Sequence, residues 1–364
     1  MKDMVISTLP IKPRTNPIVG MAISPVIVEL LGKKLKIQKN LAINLLHSYN
    51  DLSSLLDYNV NYFGNYGLEF DKLILDSENV DKLLEGVEKL INARFIVSRK
   101  TEKYMCDCGF VDVPVTAVNN HSDGKIYHMK DGKLICNHCH TACKKYKENS
   151  LVFDLKSLDF SHDIHMFPFF EKKDVMTFDK DENINFHLIS KTRDTGYQVM
   201  CGGEKYNVDI DALWMNFPQI YDQERQIYVA SNHQLYPIYV MNLINNALNE
   251  KEVFYILNPY LGKSDDLRPD VEKLYERSPI YAKLAIISSL RWKKKDCTWD
   301  NSVLRGLSKY DEDILKQLYD EMTLDGFDED NFEKDLGQFL NYDTTIQHNM
   351  NTIKRLVKAR NLHN

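Results

Sequence analysis

The stretch TNPIVGMAISPVIVELLGKKL, residues 15–35, decides how the chain is organised. Its opening residues, rich in proline and asparagine, read as a tight turn. From Ile18 onward apolar residues fall on every side of a helical wheel, and charge is confined to Glu29 and the closing lysines. A helix apolar all round belongs inside a core. Gly20 stands at its mouth, where a missing side chain lets a backbone or a ligand come close. Ser24-Pro25 is itself a helix start signal, an N-cap followed by a first-turn proline, and it predicts a helix that begins one turn after Gly20.

The flanks extend this pattern. MVISTLP (4–10) reads as a strand before the turn, and LAINLLHSY (41–49) as a buried strand after the helix. Strand, helix and strand in this order predict a βαβ unit on a parallel sheet. Residues 79–93 form an amphipathic helix, with Val80, Leu83, Leu84, Val87 and Leu90 at helical spacing. RFIVSR (94–99) is a further short strand, so residues 1–100 read as one half of an open α/β domain. Residues 197–210 read as a hairpin turning at Gly202-Gly203. RQIYVASNHQ, LYPIYVMNLINNAL and EVFYILNP then repeat strand, helix and strand, which makes 196–265 the second half. Residues 101–195, with short alternating runs such as KLICNH and SLVFDL, are an insertion between the halves. Residues 266–364 are mainly helical.

Composition narrows the class. Hydrophobic residues at 43% and charged residues at 27% are those of an ordinary globular protein. No apolar run reaches the length of a membrane span, and the first residues lack the pattern of a secretory signal. A net charge of −6 argues against broad nucleic-acid binding. DEMTLDGFDED (320–330) mimics a calcium loop, but with Gly326 at the sixth position the twelfth is Phe332, which cannot chelate.

Five of the seven cysteines crowd between Cys106 and Cys143. An odd, clustered set is a poor disulfide framework and points to metal ligation in a reducing cytoplasm. Cys106 and Cys108 form one close pair, Cys136 and Cys139 another. Two such turns brought together give four thiolates, a soft tetrahedral set that favours zinc and leaves no open position, so the zinc is structural. His138, His140 and Cys143 are rival ligands.

A split α/β domain, a zinc-bearing insertion and a helical C-terminal region together resemble a class I aminoacyl-tRNA synthetase. In that family a His-Ile-Gly-His signature opens the first helix; here Ile18-Val19-Gly20-Met21 takes its place, with the glycine kept and both histidines absent. The second family signature, Lys-Met-Ser-Lys-Ser, corresponds to Tyr260-Leu261-Gly262-Lys263-Ser264, which keeps one lysine and the final serine. YVASNHQLYPIYVMNLI resembles the strand and helix that carry a nucleotide-contacting turn. Residues 62–91 and the Cys-x-Cys pair look like the glutamyl type, whereas the later segments look equally methionyl or cysteinyl. The resemblance implies a split Rossmann-like nucleotide-binding domain that takes ATP with Mg2+ and an amino acid. It places nucleotide contacts at Gly20, Met21, Asn232, His233, Lys263 and Ser264, with Lys263 catalytic, and an amino-acid pocket at His47 and Tyr49.

Adenylate formation requires donors on phosphates whose charge grows in the transition state. Ile18 and Met21 offer none, and one lost donor costs about 3 kcal/mol. Lys263 compensates in part, and His233 or Arg14 can supply a further donor. On residues alone, Lys263 more often belongs to a plain surface loop, and His233 suits a capping or core position equally well. One reading is an enzyme that activates an amino acid and transfers it to a small acceptor or to a tRNA acceptor end. The alternative is a catalytically impaired paralogue that acts in binding or regulation. A third is a zinc-ribbon interaction module on an unrelated α/β scaffold. With only a short stretch after Lys309, a full anticodon-binding domain is not expected here. No membrane partner is expected.

Overall fold

A computed structural model describes residues 3–46, 52–118, 126–156, 164–181, 185–192, 196–248, 251–262, 271, 273–324, 326–328 and 331–363. The chain opens with β1 (Met4–Thr8), α1 (Val19–Leu35), β2 (Gln38–Ile43), α2 (Leu56–Gly64), β3 (Lys72–Leu75) and α3 (Val80–Asn92). β4 (Ile96–Met105), β5 (Asp112–Pro114), β6 (Tyr127–Lys130), β7 (Lys133–Cys136) and β8 (Lys144–Asp154) follow. Next come β9 (His165–Phe167), α4 (Phe170–Lys180), β10 (Phe186–Leu188), β11 (Tyr197–Cys201), β12 (Glu204–Val208) and α5 (Ile210–Leu213). β13 (Arg225–Ser231), α6 (Leu235–Leu248), β14 (Glu252–Asn258) and β15 (Tyr260–Gly262) lead to helices broken by β16 (Asp296–Thr298).

The central sheet runs β3-β2-β1-β13-β14-β9, and every pairing in it is parallel. Its strands are apolar on both faces, as burial on two sides demands. Alternation along each strand feeds two cores. Met4, Ile6, Ile227, Val229, Phe254 and Ile256 join α1 and the C-terminal helices. Val5, Ala42, Tyr228, Ala230, Tyr255 and Leu257 face α3 and α6.

α1 is buried over most of its length, as its sequence predicts, and each large apolar side chain there contributes about 1.5–3 kcal/mol. Its start differs from the Ser24-Pro25 expectation. The helix begins at Val19, with Ile18 as an N-cap lacking a side-chain bond, and Pro25 sits inside it. Burial of Val19, Ala22 and Ile23 in the core outweighs the better local cap.

RFIVSR forms a strand, but in a different sheet. β4 pairs antiparallel with β8 from Ile96↔Phe153 to Met105↔Lys144, within a sheet ordered β10-β8-β4-β5. Arg99, Lys100 and Glu102 are exposed along β4, and a strand this polar suits a sheet with one wet face. Lys103, fully buried in it, lies 2.9 Å from Asp112 and also contacts Glu148. The hairpin β11–β12 turns at Gly202 and Gly203, with φ of 60° and 84°, a backbone that favours glycine at both positions. β9 lies in sequence among the antiparallel strands, yet it forms the edge of the central sheet beside β14.

The C-terminal helices pack back on α1 through a buried charge cluster. Glu29, with no exposed area, takes Lys283 at 2.7 Å, Lys33 at 2.7 Å and the Tyr319 hydroxyl at 3.0 Å. No helix among the described residues is long and apolar enough to cross a membrane.

Candidate active site and metal centre

In an open doubly wound sheet, ligands bind outside the carboxyl ends of the strands where the winding reverses. Here that point lies between β1 and β13. The chain leaving β1 is stitched down on both sides: Leu9 N donates to Val229 O (3.2 Å), Ile11 N to Ala42 O (2.9 Å), and Asn44 N to Ile11 O (2.9 Å). Further along, the buried Asn59 accepts from Arg14 N at 3.0 Å and donates to Arg14 O at 2.9 Å. This fixes the entrance of α1.

Gly20 is exposed in the first turn of α1. A Cβ built on it meets only Ile18 Cδ1, at 3.8 Å, so the space above it is open. Met21 is buried among the core residues of α1. One turn on, the Ser24 hydroxyl donates to Asn258 Oδ1 at 2.8 Å and ties α1 to the end of β14.

The turn after β13 holds Asn232 and His233. Asn232 is buried and donates through Nδ2 to Lys295 O at 2.6 Å. His233 is exposed, with its ring edge-on to Tyr260 at 5.1 Å. Tyr260 N also donates to Lys295 O, at 2.9 Å, so one carbonyl joins the ends of β13 and β14. His47, Tyr49, Lys263 and Ser264 lie outside the described residues. β15, which leads to Lys263, pairs parallel with β16.

One neighbour of this edge is absent from any motif. Glu171, in the first turn of α4, is buried beside Asn232 and Asp174, and Lys295 reaches Asp174 at 2.7 Å. In sequence it stands in FEKKDV, which matches no motif; only the fold brings it to Asn232.

The cysteines come together. The Sγ atoms of Cys106, Cys108, Cys136 and Cys139 all lie within 4.8 Å of one another. Cys106 and Cys108 are 3.2 Å apart, Cys108 and Cys136 3.8 Å. A tetrahedral ion with bonds of about 2.3 Å needs sulfurs about 3.8 Å apart, so the set fits a metal with little movement. Backbone N–H groups already point at the sulfurs: Val111 N at Cys106 (3.2 Å), and His138 N and Cys139 N at Cys136 (3.3 and 3.4 Å). The Thr141 hydroxyl, 2.9 Å from Cys139, holds that thiol down at about 6. The rivals stand outside the group: His138 stacks on Phe110, and burial pushes the Cys143 thiol up to about 12. Val111, Tyr127 and Leu134 are the only other fully packed residues in this small core among those described.

No protein-family model matches the sequence, and no curated protein matches it. Solved structures do. Mycobacterium tuberculosis methionyl-tRNA synthetase in complex with methionyl-adenylate has a TM-score of 0.66 at 10% identity, over 97% of this chain and 81% of that one. A second structure of it, bound by methionyl-adenylate, gives 0.66 at 10%, over 96% and 81%. Its apo form gives 0.60 at 11%, over 96% and 78%. At such identity the likeness is one of fold. The chain therefore has the class I aminoacyl-tRNA synthetase fold, with a parallel α/β sheet, a four-cysteine cluster able to hold a metal ion, and helices at its C-terminal end.

Proposed function

We propose that this chain activates an amino acid with ATP in the crevice between the carboxyl ends of β1 and β13, then passes the acyl group to a small acceptor or to a tRNA acceptor end. The observation that supports this reading is the reversal of winding at that crevice, with the open Gly20 turn on one side and the Asn232-His233 turn on the other. Adenine or ribose lies against the backbone of Gly20 and Met21, whose side chain is turned into the core, with Asn232 and His233 around it. Lys263 and Ser264, on the segment leaving β15, meet the phosphates of Mg2+-bound ATP. His47 and Tyr49, beyond β2, face the amino acid. Its carboxylate attacks the α-phosphate, and pyrophosphate leaves with the P–O bond electrons.

In this reading residues 1–100 and 196–265 are the halves of the nucleotide-binding domain, 101–195 the insertion and 266–364 the helical region. Zinc on Cys106, Cys108, Cys136 and Cys139 is structural. Four thiolates close its coordination, so it supplies shape and no chemistry. The protein acts in the cytoplasm.

The test is ATP–pyrophosphate exchange against all common amino acids, where exchange with one of them supports activation. A second reading is favoured by Ile18 and Met21, which put no donor at the phosphates. No exchange with any amino acid, together with ATP binding in calorimetry, establishes a paralogue that binds or regulates. Neither exchange nor nucleotide binding would overturn both.

A further inference from the structure

Three elements meet at the turn after β13, and their charges do not balance. α4 brings two carboxyl groups, Glu171 and Asp174. The segment 291–295 brings one ammonium, Lys295, at 2.7 Å from Asp174. The turn itself brings the neutral amide of Asn232 and the imidazole of His233, which is exposed and packs on Tyr260. α6 also packs on α4, and it adds no charge, only the phenols of Tyr236 and Tyr239. The titratable residue of β9, His165, sits at the far end of its strand on Glu333. Asp296, next in line, acts on Lys295.

Glu171 and Asn232 are 1% and 7% exposed. Glu171 lies beside Asp174 and Asn232, yet its Oε2 and the Oδ1 of Asn232 have no hydrogen-bond partner among the described residues. Asp174 and Lys295 pair with each other within reach of water, so the buried carboxyl of Glu171 is left with no cation of its own. A buried group in that position takes up a proton. Both oxygens are sealed from solvent, so the missing positive charge is a proton rather than a dissolved cation. Protonation also turns an orphan acceptor into a donor. Burial raises the Glu171 carboxyl to about 7, helped by Asp174 and opposed by Lys295.

We propose that Glu171 is a positioning residue: its protonated form holds α4 against the Asn232 turn, and its ionisation releases α4, so pH sets this edge of the crevice. The inference does not depend on whether the crevice takes a nucleotide.

The test uses the full chain. The Glu171 carboxyl is followed by carbon-13 NMR, its signal identified by its loss in Glu171→Gln. Hydrogen exchange of the α4 amides, corrected for intrinsic rate, is read at about pH 6 and about pH 8.5. The expected midpoint is about 7. Protection of α4 falls by about tenfold between the two conditions, while Glu171→Gln, which keeps a donor and gains no charge, stays protected at both. A midpoint at the ordinary 4.5, protection unmoved by pH, or the same pH dependence in Glu171→Gln would each overturn the proposal. Where Glu171→Gln does not fold, Lys295→Met serves: it removes the ammonium that favours the carboxylate and shifts the midpoint, and with it the release of α4, to higher pH; an unmoved midpoint, or a release that does not follow it, overturns the proposal.

Discussion

The Lys283 ammonium lies 2.7 Å from the Glu29 carboxylate, and both side chains are shut away from water. Glu29 belongs to α1 and Lys283 to the helix Pro279–Ser289, so the contact fastens the C-terminal region to the core helix of the sheet. Burial pulls the Lys283 ammonium below its ordinary range, and Glu29 resists that pull. Removing one partner of a buried pair strands the other charge. Lys283→Met is expected to destabilise the chain by about 3 kcal/mol in urea unfolding, the lower end for such a change because Lys33 stays on Glu29. A loss below about 1 kcal/mol contradicts this.

The cysteine cluster predicts about one tightly held zinc ion per chain, read by metal analysis of purified protein. Cys143→Ser leaves the metal in place, since Cys143 lies outside the ligand set. Cys106→Ser loses it and loosens the β6–β7 hairpin, visible as faster hydrogen exchange there while the parallel sheet stays protected. Metal lost from the Cys143 variant means the ligand set is wrong.

Gly20→Val separates ligand approach from folding. The added side chain meets little protein, so stability changes by less than about 1 kcal/mol. ATP binding, measured by calorimetry, weakens at least about tenfold if the nucleotide lies against this turn. Unchanged affinity refutes the placement.

Adenylation is expected to be slow, because Ile18 and Met21 carry no donor. On the proposed function, whatever exchange remains is expected to depend on Lys263, as an ammonium that would follow the phosphates as charge builds. Lys263→Met lowers the exchange rate by about 10²-fold. Exchange that survives this change intact assigns the phosphate contacts to other residues.

His187 predicts an acid limb in stability. Burial pushes its imidazole down to about 4, with Lys191 adding to the shift, and the Tyr236 hydroxyl lies 3.1 Å from Nδ1. The folded form keeps the ring neutral while the unfolded chain protonates at about 6.5. The unfolded state therefore binds more protons between about 6.5 and 4, and stability from this group, present above 6.5, is lost as pH falls through that window. His187→Gln flattens that limb in unfolding measured across pH. A limb of the same slope in the variant places the titrating group elsewhere.

The sequence revealed those parts of the fold whose local pattern matches their surroundings. β1, β13 and β14 are largely apolar, and α1 and α6 carry apolar residues on every side, because each is buried over most of its surface. The cysteine pairs were legible because metal geometry fixes spacing within each turn. β3 and β9 were not: each is a short edge strand of three or four residues, and KLIL and HMF carry too little pattern to tell strand from loop. The start of α1 was misplaced because a cap is a local preference and burial a global one. Glu171 was invisible, since its environment is made by segments 60 and more residues away.

The pairing of Met4 with Arg225 also has a consequence for how the chain is made. β1, β2 and β3 are synthesised early, and their neighbour β13 only some two hundred residues later. At about 5–20 residues per second this interval is about 10–40 s. Throughout it the half-built sheet presents β1 as a raw edge, a template for other chains. A nascent chain that stalls before Arg225 is thus an aggregation seed, and the edge needs cover from the ribosome's surroundings until β13 arrives.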